Sequence, residues 1–201
     1  MKNQRRTQEE RSTATRDALV SAARELFAQR GYAGVGTTEI VRAAGLTRGA
    51  LYHHFADKTE LFAATFEAVE TETSERIRDA VRGGDATDPV AAMRAGAAAF
   101  FDVCTEPAMA RIMLLDAPAV LGWTRWNEIS NRYNMGLVND LLAAAIEAGL
   151  VPAQPVEPLA HVLIGALREA ALFLVRADDP IAARAQVGAV MDSLIVSIAS
   201  R

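Results

Sequence analysis

The spacing of apolar residues limits most strongly what this chain can become. From Ala18 the pairs Ala18/Leu19, Ala22/Ala23 and Leu26/Phe27 recur every four residues. The same interval returns in Leu159, Val162/Leu163, Ala166/Leu167, Ala170, Phe173/Leu174 and again in Val187, Val190/Met191, Leu194, Ile198. Such a period puts these side chains on one face of a helix, whereas the faces of a strand alternate every two residues. Seven prolines interrupt 201 residues, and the β-branched and aromatic runs of a sandwich or barrel are missing. The chain is therefore expected to be all-α. At 51% hydrophobic and 23% charged it has material for a core, and its length suits one domain or a small module packed on a larger one.

The formal charge of −4 hides an asymmetry. Residues 1–58 carry ten Lys and Arg against six Asp and Glu, and the remainder carries eleven against nineteen, so a basic head precedes an acidic body. Attraction to a polyanion needs local positive charge, so the head is the part expected to meet nucleic acid. One cysteine, Cys104, cannot form an internal disulfide, and no secretory pattern opens the chain, so a cytoplasmic setting is expected. The apolar stretches Val90 to Val103 and Val187 to Ala199 are interrupted by Arg94 and Asp192 and fall short of a membrane span, so no membrane partner is expected.

Punctuation divides the chain. Residues 1–14, with Lys2, Arg5, Arg6 and Arg11 and no apolar period, read as a flexible basic arm. A first helix ends at Gly31. Within residues 15–60 the segment 37–56 reads as two short helices: Thr37 caps the first, Gly45 stops it in the left-handed conformation, and Thr47 caps the second. Leu46, Leu51 and Phe55 form the buried side of the second. Asp57 and Glu60 then have the spacing of a capping box for a long helix to about Arg82, before a break at Gly83, Gly84 and Asp85. Residues 61–201 form the body, with helices expected near Pro89 to Thr105, Pro107 to Asp116, Trp123 to Gly149, Glu157 to Arg176 and Pro180 to Ser200.

Helix, tight turn and second helix are the parts of a helix-turn-helix, whose second helix enters the major groove by its N-terminal end. Thr47, Arg48, Gly49 and Ala50 put one long donor and two small side chains at that leading turn, so backbone can approach DNA while Arg48 reaches a base edge or phosphate. Lys58 adds a cation beside free backbone N–H groups, which suits phosphate.

Thr37-Thr38, Ala43-Ala44-Gly45, Leu51-Tyr52-x-His54-Phe55 and Lys58-x-x-Leu61 make the segment from Thr15 to Glu72 resemble the N-terminal domain of tetracycline-repressor-like (TetR) transcriptional regulators. The resemblance implies that Thr37, Tyr52, His54 and Lys58 contact phosphates and that Thr38, Arg48, Gly49, Ala50 and His53 read bases. It also implies a helical effector-binding and dimerisation body, a palindromic double-stranded DNA operator, a homodimer formed through 157–200, and release of a repressor by a small molecule. No cofactor is implied. The alternatives are an effector-independent nucleoid-type binder and, further off, a helical enzyme; no Gly-rich phosphate loop, nucleophile elbow or spaced metal ligands occur in the sequence.

Phe100, Phe101, Met109, Met113, Trp123, Trp126, Tyr133 and Met135 concentrate aromatic and sulfur side chains in mid-body, which suits either core or an apolar effector cavity. They favour a neutral or cationic hydrophobic effector, unless one of Arg111, Arg125 and Arg132 turns inward. Arg168-Glu169, inside an apolar helix, reads as an interface ion pair or as a contact for a polar effector group. Glu67, Glu70, Glu72, Glu75 and Asp79, interleaved with Arg76 and Arg78, read as a solvated helix face. Adjacent His53 and His54 point about 100° apart on a helix and cannot share a metal, and His161 and Cys104 stand alone.

Overall fold

A computed structural model describes residues 2–83 and 88–199; Met1, Gly84, Asp85 and Ser200 of the expectations above lie outside them. The described residues form α1 (Lys2–Arg30), α2 (Thr37–Ala43), α3 (Arg48–His54), α4 (Lys58–Arg82), α5 (Pro89–Cys104), α6 (Pro107–Ala110), a π-helical turn (Arg111–Asp116), α7 (Ala117–Glu147), α8 (Val156–Val175) and α9 (Pro180–Ala199), with no strand among them. The all-α class follows from the apolar period. Two compact units result, one gathering residues up to Val69 with Arg111–Trp126, the other Glu70–Ala110 and residues from Asn127.

The expected flexible arm is instead the start of α1, which is continuous from Lys2. Gln, Arg and Glu are good helix formers, and neither Gly nor Pro occurs before Gly31, so nothing stops the helix from running back through the polar residues. In the first unit Leu19, Ala23 and Phe27 of α1 are buried against Ile40 and Val41 of α2, Leu51 of α3 and Leu61, Phe62 and Phe66 of α4. The Phe27, Tyr32 and Phe62 rings meet with centroids 5.2–5.7 Å apart. Residues Arg111–Trp126 close this unit: Asp116 accepts the Tyr32 N–H at 2.8 Å, and Arg125 grips the Glu60 carboxylate with both terminal nitrogens at 2.6 and 2.8 Å. Glu60 is thereby diverted from the expected capping box, of which only the Asp57 half forms, accepting the Glu60 N–H at 2.9 Å. Trp126 donates from Nε1 to the Met113 carbonyl at 3.1 Å.

The N-cap of α2 is Gly36 rather than Thr37, and the Glu39 carboxylate accepts the Gly36 N–H at 3.1 Å. That carboxylate also takes two hydrogen bonds of 2.8 Å from Arg30, tying α2 to the end of α1. Inside α7, Gly122 at φ 75° and ψ 160° breaks the helix, which resumes at Trp123 as expected; only glycine enters that region without strain.

In the second unit α8 and α9 bury Ala160, Leu163, Ile164, Ala171 and Leu174 with Ala183, Val187, Met191 and Ile195. Their other faces expose Val162, Phe173, Ile181, Val190, Leu194 and Val196. By length and composition both helices could cross a membrane, which the interrupted stretch Val187 to Ala199 by itself does not suggest.

Two outcomes follow from this packing. Phe62→Ala should cost about 3–5 kcal/mol in chemical denaturation followed by circular dichroism, while Trp123→Ala, with its ring 69% exposed, should cost about 1 kcal/mol or less. The hydrogen bonds from Arg30, and after them the Gly36 N–H, hold the Glu39 carboxyl down at about 2 against an ordinary 4.5. Its folded value is depressed, so its contribution to stability is complete above about pH 4.5 and is lost as pH falls through about 2. Carbon-detected NMR titration should place Glu39 there, and Glu39→Gln should flatten the acid limb of stability in that window.

Candidate nucleic-acid interface

The turn between α2 and α3 is built by two residues. Gly45 at φ 66° ends α2 in the left-handed conformation, and the Thr47 hydroxyl caps α3 by accepting the Ala50 N–H at 3.2 Å. Helix α3 has seven residues and holds its place through Leu51, with Phe55 buried just beyond its end. Leu46, expected beside them, is only half-buried. This inward pull leaves Thr38, Thr47, Arg48, Gly49, Tyr52 and His53 exposed, with Thr37, Ala50 and His54 half-buried at the edge of the same surface.

The outward groups are not independent. The Arg48 guanidinium lies 5.9 Å from the Tyr52 ring centroid. Hydrogen bonds from Arg48 and then Thr37 hold the Tyr52 phenol below its ordinary value, because donors to the oxygen favour the phenolate. Tyr52 thus links the start of α2 to the leading end of α3. A Cβ on Gly49 would meet only the Thr47 hydroxyl oxygen at an ordinary 3.8 Å, so no contact inside the chain requires glycine there.

Lys58 is less free than its place in the sequence suggests. It is half-buried, donates to the Tyr32 carbonyl at 2.7 Å and sits 3.9 Å from the Tyr32 ring centroid, and burial lowers its pKa from the ordinary lysine value. An ammonium has three N–H donors, so this bond leaves donor capacity on the same nitrogen.

The residues expected to line an effector cavity divide between the units. Met113, Trp123 and Trp126 belong to the first, and Phe100, Phe101, Met109, Tyr133, Met135 and Arg168 to the second. Phe101, Met109, Met113 and Trp126 are buried, while Trp123 meets Trp126 with ring centroids 5.1 Å apart and planes tilted by 59°, and is largely exposed. Arg125, considered for an inward turn, is committed to Glu60.

A polar cluster inside the second unit corrects two expectations. Glu70 is 3% exposed rather than on a solvated face. It accepts from the Ser130 hydroxyl at 2.7 Å and the Asn134 amide at 3.0 Å. Burial raises its pKa above the ordinary value, and these two bonds oppose the rise. Arg168 turns inward, donating to the side-chain oxygens of Asn127 and, at 2.9 Å, Asn131, and burial lowers its pKa; Glu169 stays exposed. Pairing Arg168 with its exposed neighbour would have cost a half-buried cation its internal partners. The signal is present in the sequence: Asn127, Ser130, Asn131 and Asn134 repeat at helical spacing, and Glu70 continues the inward stripe of Phe62, Phe66 and Val69. Among the described residues no group of three His, Cys, Asp or Glu could hold a metal ion. Burial pushes the Cys104 thiol up, which leaves it a poor nucleophile.

Comparison with known proteins agrees with this geometry. Residues 19–65 match the family model of bacterial regulatory proteins, tetR family, and residues 90–198 match that of the tetracyclin repressor-like C-terminal domain. The HTH-type transcriptional regulator CymR of Pseudomonas putida is 44% identical over 78 residues, 39% of this chain and 38% of CymR. The chain thus matches well under half the length of that relative. A TetR-family transcriptional regulator from Pectobacterium atrosepticum superposes with a TM-score of 0.84 at 33% identity, over 96% of this chain and 97% of the other. AibR, solved in complex with isovaleryl coenzyme A and operator DNA, has a TM-score of 0.62 at 22% identity over 90% of this chain and 97% of its own, a likeness of fold. With family models covering both the helix-turn-helix and most of the body, the chain belongs to the tetR family of bacterial regulatory proteins.

Proposed function

We propose that this chain is a cytoplasmic homodimeric repressor, a binding protein rather than an enzyme, which occupies a palindromic operator through α2 and α3 and leaves it when a small effector binds the body. The observation that carries this reading is the exposed leading end of α3. Arg48 and Gly49 have no role in the core there, while Leu51 and Phe55 fix the helix from behind. Arg48 and Thr38 are the base-reading donors, with His53 beside them. Gly49 and Ala50 admit backbone close to the groove, and Thr37, Thr47, Tyr52, His54 and Lys58 hold phosphates.

The dimer reading rests on the outward apolar faces of α8 and α9, where Val190 is 70% and Phe173 57% exposed. Apolar surface of this extent needs a cover, and a second copy supplies one with the two-fold symmetry that an inverted repeat of DNA demands. Leu163 and Leu174, on the apolar faces from which the interface was expected, serve the chain's own core. The effector reading is supported by the polar groups around buried Glu70 and half-buried Arg168, and by AibR, whose solved complex holds both a small molecule and DNA.

Binding to duplexes that the protein itself selects from a random pool tests the head. Arg48→Ala should cost about 1–3 kcal/mol on selected DNA and little on unselected DNA. Lys58→Ala should weaken both and lower the salt slope by about 0.9. Equal losses on both duplexes for both variants would mean that Arg48 does not read sequence. For assembly, Phe173→Glu/Val190→Glu should sediment as a monomer and lose binding to paired half-sites. A persistent dimer would put the interface elsewhere.

A further inference from the structure

We propose that the front of α1, residues 2–16, is a second DNA-contacting element, running beside the sugar–phosphate strand that flanks the groove entered by α3. The inference rests on the head being a DNA-binding unit, as above, and extends its footprint. Helix α1 begins at Lys2, yet among its described side chains, from residue 7 on, the first that is buried is Leu19. Residues 7–14, Arg16 and Asp17 are exposed. From residue 7 to Asp17, some three turns of helix therefore bury no side chain, and a helix polar on every side gains little from folding alone.

This extension borders the recognition helix. Gln8, Glu9, Arg11, Ser12 and Thr15 line a cleft of about 490 Å³ together with His53 and His54 at the end of α3. Its root is fixed by Arg16, whose guanidinium lies 5.4 Å from the centroid of the buried Phe55 ring. At 1.5 Å per residue, the stretch from residue 2 to residue 16 reaches roughly 20 Å, the length of about six base pairs.

Charge selects the occupant. Residues 2–17 carry Lys2, Arg5, Arg6, Arg11 and Arg16 against Glu9, Glu10 and Asp17, in a protein whose remaining residues carry a net negative charge. A phosphate strand gains from that local excess, whereas the acidic body of a second copy would meet it without a matching apolar surface. The cleft also holds Glu9, so the cation that the extension offers a phosphate there is Arg11, on the same cleft as His54. Contacts of this kind add affinity and orientation without reading sequence.

The test uses the full chain, a variant lacking residues 2–10, and Arg11→Gln. Probes are a 40-base-pair duplex selected by the full chain from a random pool and an unselected duplex, titrated over a range of KCl. Thermal unfolding controls for folding. The deletion should lower the slope of log affinity against log salt by roughly 2–3, about 0.9 for each phosphate left without its cation, equally on both duplexes. Arg11→Gln should lower it by about 0.9, the value of a single phosphate. The protected footprint should shorten at both ends while the selected sequence is unchanged. An unchanged slope and footprint overturn the proposal. A changed base preference at unchanged slope also overturns it, making the extension a support for α3. A lower sedimentation coefficient with intact DNA affinity overturns it in favour of contact between copies. If the full chain selects no duplex at all, the head reading fails and this proposal falls with it.

Discussion

Everything outward on the head depends on the inward burial of Leu51 and Phe55. A helix of seven residues is far too short to persist in water, since nucleation costs more than its few hydrogen bonds return. Helix α3 exists because Leu51 is fully enclosed, because Phe55 closes the space beyond its last turn, and because the Thr47 hydroxyl satisfies an otherwise orphaned N–H. The arrangement has two sides with separate duties. The inner residues set position, and the outer ones are left free to be chosen for what they touch. Gly49 illustrates the second duty, since no internal contact asks for glycine there.

Much of this is legible in the sequence. The four-residue apolar period marks the helices, Gly45 and Thr47 mark the turn, and the string from Leu51 to Phe55 marks the side that faces in. The ends of helices are harder. Thr37 looks like a cap, but the backbone turns one residue earlier, because Glu39 is placed to bind the Gly36 N–H and is itself held by Arg30, nine residues upstream. Asp57 and Glu60 look like a reciprocal box until Arg125, sixty-five residues away, takes the glutamate. In each case a local rule is overruled by a partner distant in sequence, which spacing cannot reveal. The start of α1 misleads for the opposite reason: the absence of an apolar stripe reads as absence of helix, although nothing there forbids one.

The interior of the body is the least legible part. A charge at Glu70 suggests solvent, and Arg168 suggests its neighbour Glu169, yet both charged groups turn inward. Ser130 and Asn134 meet the first, and Asn127 and Asn131 the second. Such a cluster is expensive to bury and stable only while its members remain satisfied. It is a place where a small change in partners has a large energetic effect, unlike the apolar contacts of α8 with α9. The aromatic and sulfur residues grouped by sequence proximity, by contrast, divide between two units, since the chain changes unit at Arg111 and again after Trp126.

The turn at Gly122 has an optical consequence. The two tryptophans of the chain follow it within four residues, one largely exposed and one buried with its indole N–H on the Met113 carbonyl, their rings 5.1 Å apart. Excitation selective for indole therefore sees a single short stretch of the molecule. Wetting of the inner ring or separation of the pair changes emission colour or intensity, while rearrangements elsewhere stay dark unless they reach this point. The protein carries its own local fluorophore pair close to the π-helical turn, where the long arm of α7 sets out, with no label needed.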